Sequence, residues 1–412
     1  MTESTYQKPN SFIYGTAKTV AAVFAKAVFK RSFIRNEIKY AKGPFVVIAN
    51  HQAAYDFVNL IGASKRPMSF VLSNAFYNSL PIKGILDKMG VIPKQQFQTT
   101  VSDMRKIKAV ISSGNPLVIY PAGLMCEDGL STPIPKATYK LLQWLEADVY
   151  VAKTSGTYFA MPKWGKGFRP GKTYMDIYKL FSKEELAKMD IPEIKEKVDD
   201  ALLFDAYREQ EHFMAKYSKN SIKGLENVLY KCPECGKEFT MEVTEDNIIR
   251  CTSCGYEEAS DEYSFLHNKG LGREIRYASD WSKKIHEDML AVLKGNKDYC
   301  LSDETEIQML DYEKHKFVKV GDGTVTFTPE NITLTGTVNG ESRNVSLRTT
   351  HFPILPFTPG KCLELQDGRD IYRCVLKDGR KVMKYIHFVK AMYELNHSDL
   401  ADHINKHKTE NA

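Results

Sequence analysis

The 412-residue sequence has no uninterrupted apolar run of the about 18 to 20 residues that a membrane-spanning helix needs. Its apolar stretch nearest the start, residues 11–33, is interrupted by Lys18 and Lys26 and closed by Lys30 and Arg31. A secretory signal has its basic residues before the apolar core, whereas here they follow it, so we reject that interpretation. Residues 1–35 are instead predicted to form an amphipathic helix in a membrane interface, with aromatic side chains inward and lysines at the headgroups. A helix packed on a sheet is the alternative.

A strong charge of either sign is also missing, because 57 basic residues face 51 acidic ones and the formal net charge is only +6. This weak basic excess gives no support for nucleic-acid binding. It fits an anionic membrane surface or an acyl-carrier protein as partner. Together with the absence of a secretory signal, it leads us to expect a cytoplasmic protein that is peripheral on the membrane.

Cysteine is scarce, and four of the eight cysteines form two Cys-x-x-Cys pairs, Cys232 with Cys235 and Cys251 with Cys254. A glycine follows each pair, and alternating apolar residues lie between the pairs. Four thiolates at this spacing are typical of a tetrahedral zinc ribbon, which we place at residues 226–260. Two disulfides or an iron–sulfur site are the alternatives. A four-cysteine zinc site has no open position, so its expected role is structural.

The apolar run Phe45–Ala49 predicts a buried strand of a parallel sheet, and a helix is expected to begin near Asp56. His51 therefore lies where a strand ends and a helix begins, an edge at which α/β proteins build sites. A carboxylate at Asp56 can fix one imidazole nitrogen and leave the other as a base. The alternative is a helix-capping Asn50-His51 pair with a solvated Asp56.

Three further blocks follow in order. Gly90 to Lys94 contains Ile-Pro, a helix is predicted over residues 102–113, and a second buried strand over residues 116–120 leads into Pro121-Ala122-Gly123. A third strand, over residues 149–152, leads to Ser155-Gly156-Thr157.

These four blocks resemble the glycerolipid acyltransferase family, best known from the 1-acylglycerol-3-phosphate acyltransferases, over roughly residues 35–180. The resemblance implies an α/β domain with a mostly parallel sheet at residues 36–218. It also implies acyl transfer from acyl-CoA or acyl-carrier protein to a lysophospholipid-type hydroxyl. His51 would be the base and Asp56 its orienting partner, with backbone amides near Gly123 or after His51 facing the oxyanion. The residues expected to contact substrate are Asn50, Lys94, Gly123, Gly156 and Thr157.

The sequence departs from the family where the acceptor is read. Tyr120-Pro121-Ala122-Gly123-Leu124-Met125 stands where the family has Phe-Pro-Glu-Gly-Thr-Arg, and Gln96 stands where its second block has Arg. The Glu and Arg positions are the ones that form the family's acceptor pocket. Separately, Tyr150 replaces the Pro of the fourth block. Methionine cannot replace a bidentate guanidinium. A point charge from Lys94, Lys136 or Lys153, or a carboxylate from Glu127 or Asp128, is a substitute to test. The departures leave two alternatives: a non-phosphate lipid acceptor, or an inactive lipid-binding regulatory protein.

Three other segments carry expectations. The apolar residues between Met68 and Met89 are expected to be core, although the family's equivalent segment packs near the acyl site. The basic segment 163–172 is a candidate lipid contact or a solvated loop. Two adjacent acids make Cys126 an unlikely nucleophile, because they raise a thiol pKa.

The last region, residues 275–412, reads as a helix, about seven short strands and a final helix. Asp-Gly and Asn-Gly pairs at 322, 339, 367 and 378 predict hairpin turns. This pattern resembles a pleckstrin-homology-like antiparallel β-barrel with a C-terminal helix. An accessory or dimerisation domain is the alternative.

Overall fold

A computed structural model describes residues 6–96, 100–218, 221–270, 274–368 and 370–397. The ends of two expected domains, residues 1–5 and 398–412, lie outside the described residues. The chain forms two compact units. The first comprises residues 1–220 with 262–264, and the second comprises residues 221–261 with 265–412.

The first unit is built on a seven-stranded sheet in the order β1-β7-β6-β2-β5-β3-β4. Its strands are β1 Ser32–Asn36, β2 Phe45–Ala49, β3 Ser69–Ser73, β4 Ile92–Lys94, β5 Leu117–Ile119, β6 Asp148–Ser155 and β7 Tyr174–Phe181. Strand β2 is central and buried throughout, and it pairs in parallel with β5 and β6. The sheet is not wholly parallel, because β7 pairs antiparallel with β6.

Helices pack against this sheet and contribute apolar side chains to its core. They are α1 Ser11–Phe24, α2 Asp56–Ile61, α3 Asn74–Ser79, α4 Lys83–Lys88, α5 Val101–Ser112, α6 Ala137–Leu145, α7 Thr157–Ala160, α8 Lys183–Leu186, α9 Ile191–Leu202 and α10 Ala206–Phe213. One core cluster joins side chains of α5, α6 and α9 to strands β2, β5 and β6. Helix α5 begins with a capping box made by Thr100 and Asp103, which explains its sharp start.

The length and the exposed apolar side chains of the N-terminal helix bear on membrane association. Helix α1 runs on into a π-helical turn, and Ser11–Phe29 is by length and composition alone apolar enough to cross a membrane. The segment reaches this length only with Lys18 and Lys26 inside it, so it still contains no uninterrupted apolar run of 18 to 20 residues. Lys18 does not reach outward, since its Nζ donates to the Ser64 carbonyl. Phe12, Val20 and Val23 are the exposed large apolar side chains of this helix.

The segment between Met68 and Met89 is core only at its ends. Helices α3 and α4 contain no buried residue, and Ile82 and Ile85 are more than 40% exposed. The core assignment is therefore wrong for these two helices, whose apolar side chains face a cavity described below.

The second unit contains a small and a large antiparallel sheet. The small sheet has the order β11-β10-β9-β8, with strands β8 Met241–Val243, β9 Ile248–Cys251, β10 Glu257–Ser260 and β11 Leu266–Asn268. The large sheet has the order β15-β14-β13-β12-β18-β17-β16. Its strands are β12 Leu301–Asp311, β13 Lys316–Phe327, β14 Asn331–Val338, β15 Glu341–Arg348, β16 Phe357–Thr358, β17 Cys362–Asp367 and β18 Asp370–Leu376. Helices α11 Ala278–Gly295 and α12 Val382–Asn396 pack on each other.

The large sheet corrects two features of the expected barrel. Its end strands β15 and β16 do not pair with each other, so among the described strands the barrel is not closed. Asn339-Gly340 forms the expected hairpin turn, with both residues at positive φ. Asp322-Gly323 instead lies inside the long strand β13, and Asp378-Gly379 leads into helix α12.

Candidate active site

The site begins at the carboxyl end of β2, where the chain turns into α2. The Nδ1 atom of His51 lies 3.0 Å from Oδ2 of Asp56. The same carboxylate oxygen accepts the backbone N–H groups of Gln52 at 2.7 Å and Ala53 at 2.9 Å. Asp56 is buried, whereas the His51 side chain is 20% exposed. The carboxylate is thus fixed by the backbone and directs one imidazole nitrogen, which leaves Nε2 for a substrate.

Asn50 ties this loop to the neighbouring strand. Its Nδ2 donates to the Thr154 carbonyl and its Oδ1 accepts the Thr154 N–H, both at 2.8 Å. The side chain is buried and pairs with the backbone of β6 as another strand residue would. This geometry favours a positioning role for Asn50 over the substrate contact expected from sequence.

Gln52 is a site residue that sequence reasoning missed. It is fully buried, and its Oε1 accepts hydrogen bonds from the Thr157 hydroxyl and the Tyr158 N–H. Gly156, which directly precedes Thr157, has φ +88°. A Cβ at this position would lie 2.5 Å from the Tyr217 hydroxyl. Gly156 and Thr157 therefore support the histidine loop through Gln52. Neither of them is among the residues that line the cavity described below.

The turn after β5 packs against the histidine. The Cys126 N–H donates to the His51 carbonyl, and the Gly123 N–H donates to the Tyr120 carbonyl. Backbone amides near Gly123 or after His51 are the expected oxyanion donors. Those of Gly123, Gln52 and Ala53 are already used within the protein, so these three are not free to stabilise an oxyanion.

Cys126 is fully buried in this turn. Burial raises the pKa of its thiol well above the usual range, and the carboxylates of Asp128, Glu127 and Asp56 raise it further. Because the thiolate is the nucleophilic form, Cys126 is poorly suited to carry an acyl group, as the sequence predicts.

A large cavity opens beside His51 within the first unit. Its volume is about 1610 Å³, which exceeds the roughly 300–1,000 Å³ of ordinary ligand pockets. Side chains of α1, α2, α5 and α6, the β3–α4 segment and the turn at 120–125 line it, and they are mostly apolar. Such a cavity suits long hydrocarbon chains, and His51 is one of its few polar groups.

Only some of the residues expected to contact the acceptor line this cavity. Lys94, Gln96, Gly123 and Met125 line it. The Nζ of Lys94 donates to the Gln95 carbonyl, and Gln96 Nε2 donates to the Gly123 carbonyl at 2.7 Å. Burial lowers the pKa of Lys94, partly offset by Asp103.

The other suggested substitutes lie off the cavity wall. Lys153 pairs with Glu209 at 3.1 Å, and Lys136 caps helix α6 outside the lining. Glu127 and Asp128 are buried and also lie outside the lining. Of the groups proposed to replace the missing arginines, only Lys94 faces the cavity among the described residues.

The basic segment 163–172 is solvated only in part, because residues 166–168 and Lys172 are exposed. Trp164 and Arg169 are buried, with the guanidinium carbon 4.8 Å from the indole centroid. Burial lowers the pKa of Arg169 to about 10. Phe168 is exposed, and its ring packs edge-on against Phe24 of α1 at 5.1 Å between centroids. This contact joins the segment to the N-terminal helix.

The four paired cysteines lie together in the second unit. Their sulfur atoms are all within 4.8 Å of one another. The Cys232–Cys254 and Cys235–Cys251 sulfur pairs are 3.7 and 3.8 Å apart. Four sulfurs about 2.3 Å from a tetrahedral zinc would be about 3.8 Å apart, whereas a disulfide is about 2.05 Å long. The donor set therefore fits zinc and does not fit two disulfides.

Two segments of the chain match known protein families. Residues 30–166 match the family model described as Acyltransferase. The N-terminal half thus carries an acyltransferase domain. Residues 225–257 match a zinc-ribbon model described as the 7 kDa subunit of DNA-directed RNA polymerase. The resemblance read from the four blocks and the predicted zinc ribbon are therefore confirmed at the level of these families.

Solved structures also resemble part of the chain. One of them is the 1-acyl-sn-glycerophosphate (LPA) acyltransferase PlsC from Thermotoga maritima, with a TM-score of 0.41 and 17% identity, over 51% of this chain and 81% of that chain. No curated protein sequence matches the chain.

Proposed function

We propose that the chain transfers a fatty acyl group from a thioester donor, acyl-CoA or acyl-carrier protein, to the hydroxyl of a lysophospholipid-type acceptor. The observation that carries this proposal is the His51–Asp56 pair, whose histidine lies on the wall of a large apolar cavity. The family match to acyltransferases supports it. The first acceptor to test is 1-acylglycerol-3-phosphate.

The chemistry needs one base and no covalent intermediate. His51 Nε2 removes the proton of the acceptor hydroxyl as its oxygen attacks the thioester carbonyl. Asp56 holds the imidazole in the tautomer that leaves Nε2 free and stabilises the imidazolium that forms. When the tetrahedral intermediate collapses, the imidazolium returns the proton to the leaving thiolate.

The apolar lining supplies binding energy for the hydrocarbon chains. Each buried methylene is worth about 0.8 kcal/mol. A cavity of about 1610 Å³ is large enough to bury long chains of donor and acceptor beside the same histidine. This arrangement would hold the hydroxyl and the thioester together without water between them.

Lys94 is the proposed contact for an anionic acceptor head, because its ammonium group lies on the cavity wall. A single lysine acts as a point charge and reads phosphate less tightly than paired arginines. Gln96 and Met125, both on this wall, favour a second candidate, an acyl acceptor without phosphate.

Membrane association is proposed for the N-terminal helix. Phe12, Val20 and Val23 are each more than 60% exposed, and other side chains of α1 line the cavity. A helix with this apolar face would hold the cavity beside the bilayer that supplies a lipid acceptor. We place the protein at the cytoplasmic membrane surface, with α1 lying on or inserting into the bilayer.

The second unit is assigned an accessory role. A zinc ion held by Cys232, Cys235, Cys251 and Cys254 would stabilise the ribbon, because four thiolates leave no open position for catalysis. The open antiparallel sheet with α12 is proposed to resemble a pleckstrin-homology-like domain without a ligand assigned.

The test measures thiol release from a panel of acyl-CoA and acyl-carrier-protein donors. Two acceptors that differ only in phosphate, 1-acylglycerol-3-phosphate and 1-acylglycerol, are compared for wild type, His51→Ala and Lys94→Gln. We expect His51→Ala to lose about 100-fold or more of the rate. Lys94→Gln should raise the KM for the phosphate acceptor only.

The outcomes separate the alternatives. His51-dependent release with 1-acylglycerol alone would assign a non-phosphate acceptor. Measurable lipid binding with no release from any donor would favour the inactive regulatory protein. Near-normal turnover by His51→Ala would show that the mechanism is wrong.

A further inference from the structure

Tyr120 follows β5 and forms the wall of the cavity beside the candidate base. Its ring packs on the imidazole of His51, with centroids 4.5 Å apart and planes tilted by 33°. Both residues line the cavity. The packing positions the phenol next to the place where a thioester must lie for attack by an acceptor held at His51.

The hydroxyl of Tyr120 has no hydrogen bond to any of the residues that the structure describes. Two other tyrosines of this unit have partners: Tyr139 donates to Asp199 at 2.6 Å, and Tyr77 donates to Asp87 at 2.6 Å. Because an enclosed tyrosine hydroxyl usually finds a partner, one left open on a cavity wall is available to a ligand.

The reaction needs such a donor. As the acceptor oxygen bonds to the carbonyl carbon, the C=O electron pair moves to oxygen, and the resulting charge must be stabilised. The N–H groups of Gln52 and Ala53 are used by Asp56, that of Gly123 by Tyr120, and that of Cys126 by His51. These four backbone amides near the base and the turn are therefore not free.

We propose that the Tyr120 hydroxyl donates the hydrogen bond that stabilises the oxyanion, which makes Tyr120 a second catalytic residue. This inference rests on the proposed acyl transfer. The phenol keeps its proton throughout: the acceptor's proton goes to His51, the carbonyl electron pair returns as the C–S bond breaks, and the thiolate leaves with the proton from His51. Tyr120 supplies a hydrogen bond only.

Two further observations agree with this role. Burial and the nearby Asp56 carboxylate raise the pKa of Tyr120 well above its usual range, so the phenol stays protonated wherever His51 can act as a base. The family that the sequence blocks resemble has phenylalanine at this position. The hydroxyl is therefore a feature of this chain, in a turn that also departs at Ala122 and Met125.

The test is Tyr120→Phe, which removes the hydroxyl and keeps the ring that packs on His51. Steady-state thiol release is measured with the acceptor that the wild type uses best. We expect kcat to fall about 100-fold with KM and the melting temperature unchanged. Tyr150→Phe is the matched control, because Tyr150 lies on β6 with its ring against Phe45, away from the cavity lining.

The outcomes distinguish this inference from the function on which it rests. A kcat of Tyr120→Phe within twofold of wild type, or a raised KM with unchanged kcat, overturns the oxyanion role and leaves acyl transfer standing. Wild-type protein that releases no thiol with any donor and acceptor overturns both. An equal loss of kcat in Tyr150→Phe would assign the effect to the sheet and overturn the proposal.

Discussion

At the scale of single residues, the carboxylate of Asp56 holds the site together. One of its oxygens accepts the imidazole N–H of His51 and two backbone N–H groups. The carboxylate lies at the first residue of α2, where the helix dipole favours negative charge. Its position is therefore set by the backbone, and the imidazole follows.

We predict that Asp56→Asn lowers kcat by about 100-fold or more with little change in KM. The amide can still accept the two backbone N–H groups, so the loop should keep its shape. It cannot stabilise the imidazolium, and it can reverse the tautomer of His51. Steady-state kinetics beside circular dichroism would check this. A folded Asp56→Asn protein with near-normal kcat would contradict the role of the pair.

Cys126→Ala provides the matched comparison in the adjoining turn. The thiol is buried and its pKa is raised, so its loss should leave kcat near the wild-type value. A large loss of kcat in this variant, with the fold intact, would point to an acyl-thioester on the enzyme.

At the scale of elements, the sequence predicts those strands, helix starts and turns that are determined by residues adjacent in the chain. The apolar run of β2, the start of α2 at Asp56 and the turn at Asn339 are where the pattern placed them. Apolar periodicity does not say whether a side chain faces protein or ligand, so α3 and α4 were assigned to the core. Nor does an Asp-Gly pair have to be a turn. In β13 the glycines allow close strand contact, because a Cβ at Gly321 would lie 1.7 Å from the Thr337 carbonyl oxygen.

The supporting contacts of the site were hidden for a related reason. Gln52 follows β2 and hydrogen-bonds Thr157, which follows the neighbouring strand β6 and lies 105 residues away in sequence. Nothing in the local sequence pattern indicates this contact. Asn50 and Gly156 were found through the family resemblance, but that resemblance does not distinguish a residue that touches substrate from one that holds the loop.

The Gly156 turn gives a stability prediction with a matched control. Gly156 and Gly43 both have positive φ, at +88° and +71°, but a Cβ meets the Tyr217 hydroxyl only at Gly156 and nothing within 4 Å at Gly43. We expect Gly43→Ala to cost about 1 kcal/mol of unfolding free energy from backbone strain alone. Gly156→Ala should cost clearly more, about 2–4 kcal/mol, because it adds a clash.

Urea denaturation of the two variants measures the difference. Equal losses of unfolding free energy would show that the turn yields and that the contact with Tyr217 does not constrain it.

At the scale of the whole molecule, the zinc ribbon belongs to the fold of the second unit. Lys231, next to the first cysteine, pairs with Asp288 of α11 at 2.7 Å, and the Trp281 indole donates to the Lys231 carbonyl at 2.8 Å. Glu238 pairs with Lys384 of α12 at 2.6 Å. The ribbon thus packs on both helices, so the metal should stabilise more than its own residues.

We predict one zinc ion per chain, and a cooperative loss of structure in the second unit when it is removed. Chelation, or Cys235→Ser, should lower the unfolding transition of this unit because the bound metal stabilises only the folded form. Elemental analysis and calorimetry with and without chelator check this. A chain without bound zinc, or an unchanged transition after its removal, would contradict a structural zinc site.

Helices α11 and α12 also enclose a histidine that is suited to the neutral form. His387 is 1% exposed, and neither ring nitrogen has a hydrogen-bond partner among the described residues. The groups around it are His286 of α11, with ring centroids 5.7 Å apart, the Tyr230 ring at 6.0 Å, and Lys390 on its own helix. Glu394, the nearby acid, is held by His286 at 2.9 Å. Burial lowers the pKa of His387 well below its usual range, and His286 and Lys390 lower it further.

This environment predicts that acid destabilises the second unit. Below the unfolded pKa of about 6.5, the unfolded chain binds a proton at His387 that the folded chain does not, so unfolding free energy falls as pH falls. One such group contributes up to about 1.4 kcal/mol per pH unit until the folded pKa is reached. His387→Phe keeps an aromatic ring and removes the titration. Between pH 7 and pH 5, urea unfolding of this variant should show a shallower loss of stability than wild type. Parallel pH curves for the two proteins would mean that His387 takes up its proton in the folded state, through a rearrangement of α11 and α12.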